Sequence, residues 1–142
     1  MGHSMGVRVV LKALKSQSTK IARNVFTMAA AVDNDSIEVG EDFYDATGNS
    51  DSVIVFHSKN DRVLKYAYSG AEFDYALGLL GPEDPNDIIT HSSPGNPATP
   101  SVYVVNCKKR IHAHGAYKRT DQVYTYIAAF LAGSATGQFE TL

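Results

Sequence analysis

A single cysteine in 142 residues, Cys107, excludes an internal disulfide framework, and no grouping of histidines and cysteines has zinc-ligand spacing. Positive charge is not in excess. Thirteen Lys and Arg against fifteen Asp and Glu leave a formal net charge of -2, so the electrostatic footprint of a nucleic-acid or anionic-membrane binder is missing. The short run Lys108-Lys109-Arg110 is accordingly expected to be a solvated loop. No stretch approaches the roughly 20 apolar residues of a membrane span, and no internal repeat is present. The first residues do not read as a signal peptide, but a chain that starts in mid-fold would have lost any leader; a cytoplasmic location is the expectation. Proline is absent until Pro82, and all five prolines lie between it and Pro100, where Asn, Asp, Ser and Gly are also abundant. That segment is expected to be a long irregular loop.

What is present suffices for one domain, residues 1–142, because 44% apolar residues can build a core. Val7, Val10, Leu11 and Leu14 have the spacing of one apolar helical face and predict a helix over 5–17. Residues 24–31 read as a continuous buried strand rather than an alternating one, as suits a parallel sheet covered on both faces. Further strands are expected at 52–57 and 101–106, with Cys107 as a small buried hydrophobe. Helical pieces are expected at 41–46, 62–68 and 72–80, the last stopped by Gly81-Pro82. A final helix should cover 121–132, with Thr120 or Asp121 capping its start and Gly133 its end. Alternating helices and strands predict an α/β fold with at least three parallel strands in chain order and helices on both faces.

The chemistry-bearing feature is Gly2-His3-Ser4-Met5-Gly6, a Gly-x-Ser-x-Gly pentapeptide that opens the first helix. At average residue usage such a match arises by chance in about one chain of this length in twenty. A serine hydroxyl becomes a nucleophile when a sharp strand-to-helix turn presents it to a base and to backbone N–H donors, and the glycines are expected to give that turn room. Asp61 lies past the strand ending at His57, and His114 past the last strand; carboxyl ends of parallel strands are where α/β sheets carry their sites. Alternatives stay open at each position. Asp61 could be only a helix N-cap, Asp33 is a reserve acid, and His112 a reserve base. His3 could merely flank Ser4, His57 should end a strand near the site, and His91 should be a solvated loop residue. Tyr66, Tyr68, Tyr75, Tyr124 and Tyr126 read as core or helix-surface aromatics.

The order Ser4, Asp61, His114, with the pentapeptide, the Ala29-Ala30-Ala31-Val32-Asp33 strand end, Ser58-Lys59-Asn60-Asp61-Arg62-Val63-Leu64 and His114-Gly115-Ala116-Tyr117, resembles the C-terminal half of an α/β-hydrolase. Within that superfamily it is most similar to a bacterial group of esterase-like proteins. The resemblance implies Ser4 as nucleophile, Asp61 as acid, His114 as base and the Met5 N–H as one oxyanion donor, acting on a small acyl substrate without metal or organic cofactor. It also implies a truncated domain without the superfamily's N-terminal strands. The strand at 24–31 would then have an open edge suited to self-association. A non-catalytic remnant or interaction subunit is the alternative to a serine hydrolase.

Overall fold

A computed structural model describes residues 1–72, 74–90, 92–93, 96–134 and 137–142, with residues 89–90, 92–93 and 96–100 described by their backbone alone. Apolar runs become strands of one sheet. β1 (Gly2–His3), β2 (Ala22–Met28), β3 (Ser50–His57), β6 (Val102–Asn106) and β7 (Phe139–Thr141) stand side by side in that order, every neighbouring pair parallel. The fold is α/β, with strands in chain order as the alternation predicts.

Side chains alternate across the sheet with the two-residue period of a strand. Val25, Val53, Val55, Val102 and Val104 face one layer, where they meet Val7, Leu11 and Leu14 of α1 (Met5–Lys15) and Ala46 of α2 (Tyr44–Gly48). Phe26, Met28, Ile54, Phe56 and Val105 face the other layer. They meet Leu64 and Tyr68 of a π-helical turn (Leu64–Tyr68) and Val123, Tyr126 and Ile127 of α6 (Asp121–Leu131). Two covered faces explain why the strands read as continuous apolar runs.

Several boundaries differ from the sequence reading. β2 stops at Met28, three residues short, because Ala29 turns at φ 48 and the buried residues 29–32 continue as a connection. The space after Ala29 is taken by α4 (Leu77–Leu80), whose Gly78 donates to the Ala30 carbonyl at 3.0 Å while its own carbonyl accepts from Ser58 N–H at 3.0 Å. A Cβ on Gly78 would lie 2.1 Å from Ala30 N, so the two strand ends are tied through a position that only glycine fits. The helix expected at 72–80 is thus split: α3 (Ser69–Glu72) continues the π-helical turn, and α4 starts afresh after Ala76, which bridges to Asp33. The proline-bearing segment is not wholly irregular either. It contains α5 (Pro85–Thr90) and the antiparallel pair β4 (Ser92–Ser93) and β5 (Asn96–Pro100). His91 lies outside the described residues. A short 3-10 turn (Ala116–Arg119) precedes α6. Thr120 sits at the N-cap position of α6 but sends its hydroxyl to the Ala116 carbonyl, 2.8 Å, whereas Gly133 closes the helix at φ 73.

The sheet edge beyond β2 is partly covered. Gly2 and His3 pair with Thr27 and Met28, so the turn at Ser4 does have a strand ahead of it. Over residues 22–26 β2 has β3 as its only neighbour among the described residues. No helix among the described residues is long and apolar enough to cross a membrane.

Candidate active site

Ser4 sits between β1 and α1 at φ 55, ψ -131, a conformation that costs a non-glycine residue on the order of 1–3 kcal/mol. Three backbone bonds hold it there. Ser4 N–H donates to Met28 O at 3.0 Å, and the Ser4 carbonyl accepts from Val7 N–H at 3.0 Å and Ala31 N–H at 3.4 Å. The surroundings thus impose the strain by clamping the turn between the end of β2 and the first turn of α1. Of the two motif glycines only Gly2 is sterically required. A Cβ there would meet Val7 Cα at 3.0 Å, while one on Gly6 would meet nothing within 4 Å, so the expected crowding applies to one glycine and not to the other. Met5 is the first residue of α1, and its N–H, like the other leading N–H groups of a helix, has no partner within the helix.

Asp61 is fully buried and divides its carboxylate between two tasks. Oδ1 accepts from the N–H groups of Val63 and Leu64, both at 3.1 Å, as a helix cap does. Oδ2 lies 2.8 Å from Nδ1 of His114. Capping and imidazole binding are not rivals here: the cap fixes one oxygen and thereby aims the other. Because a carboxylate accepts, the His114 proton in this contact sits on Nδ1, leaving the Nε2 lone pair free. His114 is only 19% exposed at its side chain. His112, by contrast, is exposed, with Nδ1 3.2 Å from the Asn60 amide.

The other reserve residue goes elsewhere too. Asp33, at the end of the connection after β2, accepts the Tyr68 hydroxyl at 2.7 Å, and Arg8 of α1 donates to that hydroxyl at 3.5 Å. Burial first, and the Asp33 carboxylate next, hold Tyr68 well above the usual range of a phenol. His57 does end β3, buried against Gly81, and loss of solvent lowers its pKa to about 4. Cys107 is buried as expected, which pushes its thiol up to about 12 and makes it a poor nucleophile. Tyr66, Tyr75 and Tyr124 are exposed and Tyr126 is in the core.

A cavity of about 240 Å³ opens beside Ser4 and Met5. Its remaining wall is Ala31, Val63, Leu64, Ala67, Tyr68, Ala71 and Glu72, so it is mostly apolar, with Glu72 as its one acidic residue. The π-helical turn supplies part of this wall; such turns recur at functional sites because the extra residue displaces side chains from helical register. Ser4 Oγ makes no hydrogen bond to His114. The ring of the neighbouring His3 is nevertheless 4.8 Å from that of His114, centre to centre, so the elbow and the histidine loop meet. Tyr68 as a cavity wall and His3 as a link were not legible in the sequence. Both depend on contacts between distant segments that no local pattern marks.

Among the described residues no three His, Cys, Asp or Glu side chains gather as a metal site needs. Comparison with family models, curated proteins and solved structures gives no match to the chain.

Proposed function

We propose that the chain carries the catalytic elements of a serine hydrolase, of α/β-hydrolase type, acting on a carboxylic ester or related acyl compound. The observation that carries the reading is the Asp61–His114 contact of 2.8 Å, made by a fully buried carboxylate, next to a serine on a strained strand-to-helix turn. Ser4 Oγ adds to the acyl carbon as His114 Nε2 takes its proton, and the carbonyl π electrons move onto oxygen. The Met5 N–H meets that developing charge at the start of α1, where the helix dipole also favours it. Collapse expels the alkoxide, which receives the proton from His114; water then repeats the two steps and frees the acid. Asp61 holds the imidazole in the Nδ1–H form throughout and stabilises the imidazolium.

No Ser4–His114 hydrogen bond forms without substrate, and catalytic hydrogen bonds often tighten only in the substrate complex. A fluorophosphonate should label Ser4 covalently, and Ser4→Ala should lower ester turnover by about 1,000-fold or more. Unchanged turnover in that variant refutes the mechanism. The stretch of β2 over residues 22–26, which among the described residues pairs with β3 alone, favours one further reading, an interaction subunit that pairs along this edge. A monomer with robust turnover in sedimentation and ester assays defeats it.

A further inference from the structure

We propose that His3 is a positioning residue that sets where His114 stands relative to Ser4; the inference rests on the hydrolase reading of this site. His3 Nε2 lies 2.9 Å from the backbone carbonyl of His114, a contact that spans 111 positions of sequence. A carbonyl oxygen only accepts, so Nε2 carries the proton and donates it. The same ring stands edge-on to the His114 ring at 4.8 Å and to the fully buried Tyr117 ring at 6.4 Å. His3 is thus fixed on three sides: by its β1 pairing with Met28, by the His114 backbone and by the Tyr117 ring.

His114 needs such a support. Residues 112–115 form neither helix nor strand, and their exposed members, His112, Ala113 and Gly115, anchor nothing in the core. A turn bond from Ala116 N–H to Ala113 O, 2.9 Å, and the Asn60 amide 3.2 Å from His112 Nδ1 are the local restraints on this segment. Asp61 holds the ring from one end, through Nδ1. That single bond allows the ring to swing about it, and an error of about 1 Å at a reacting group can cost on the order of 100-fold in rate. The His3 contact supplies the second point. Because His3 immediately precedes Ser4, the residue that restrains the base is covalently joined to the hydroxyl it must reach, and the two move as one unit.

Three variants separate the donor from the ring. His3→Phe keeps an aromatic ring against Tyr117 and deletes the donor, His3→Gln keeps an N–H donor without the ring, and His3→Ala removes both. We expect His3→Phe and His3→Ala to lower kcat by roughly 10- to 100-fold with KM changed less than about twofold, and His3→Gln to recover most of the loss. The low-field proton resonance of His114 Nδ1–H, read by NMR without any substrate, should broaden by solvent exchange in His3→Phe and stay sharp in His3→Gln. A kcat within about twofold of wild type in His3→Phe, with Ser4→Ala inactive, overturns the positioning role and leaves the hydrolase reading standing. If Ser4→Ala keeps its turnover, the hydrolase reading fails instead, and the Nδ1–H resonance still decides: an unchanged line in His3→Phe overturns the inference.

Discussion

Two carboxylates stand just past the ends of adjacent parallel strands, Asp33 after β2 and Asp61 after β3, yet only one of them meets a histidine. Asp33 is half-buried and accepts a phenol hydroxyl, whereas Asp61 is fully buried and accepts two backbone N–H groups and an imidazole. Strand order accounts for the difference. β3 lies between β2 and β6, so the loop leaving β3 is adjacent to the loop that leaves β6 and carries His114, while the end of β2 looks onto α1, α4 and the π-helical turn. A place at a carboxyl end therefore makes an acidic residue a candidate, and the neighbouring strand decides what it does.

Exchanging the carboxylates for amides gives the widest separation. In Asp61→Asn the amide can donate toward Nδ1, which favours the wrong imidazole tautomer; turnover should fall by about 10,000-fold. Asp33→Asn keeps an acceptor for Tyr68 and touches neither His114 nor Ser4, so kcat should stay within about threefold of wild type. Comparable losses in the two variants, measured as kcat on a short-chain ester, would erase the distinction between the two strand ends.

The strand ends also differ in titratable content, and acid should reveal it. Residues 29–32 after β2 are apolar, whereas β3 ends in His57, buried with a pKa lowered to about 4 from an ordinary 6.5. Between these values the unfolded chain binds a proton that the folded chain refuses, so stability is complete above about pH 6.5 and declines as pH falls toward 4. Over the first 1.5 pH units of that window the loss from this group is about 2 kcal/mol. Denaturant unfolding at pH 7 and pH 5 should show that difference in the wild type and a clearly smaller one in His57→Phe. Equal slopes in both proteins would mean that His57 is not the group that titrates.

These differences were unequally visible in the sequence. Long apolar runs such as the one at 52–57 announce buried strands, and the spacing of Val7, Leu11 and Leu14 announces α1, because both patterns are local consequences of covered faces. β1 and β7, with two and three residues, are too short to show any period and exist through pairing with a neighbour. The apolar residues 29–32 were burial without strand geometry, since Ala29 must turn to make room for Gly78. At the site, Ser4, Asp61 and His114 stand at positions that motif and strand ends mark, and the Asp61–His114 pair forms. Roles that depend on which loop lies beside which, those of His3 and Tyr68 and the dual use of Asp61, belong to the third dimension.

Tyr68 provides the finest test of the contrast because it is the partner that Asp33 has in place of a histidine. Its hydroxyl joins β2's end to α1 through Asp33 and Arg8 while its ring walls the cavity beside Ser4. Tyr68→Phe keeps the ring and leaves a half-buried carboxylate without its hydroxyl donor. A net cost of about 1 kcal/mol in unfolding free energy is expected. Since the cavity wall is preserved and the apolar contacts are unchanged, KM for a short-chain ester should move by less than about twofold. The double variant Tyr68→Phe with Asp33→Asn should cost less than the sum of the single changes, because the second removes the charge that the first leaves unpaired. Strict additivity in that cycle would show that Asp33 and Tyr68 do not act as a pair.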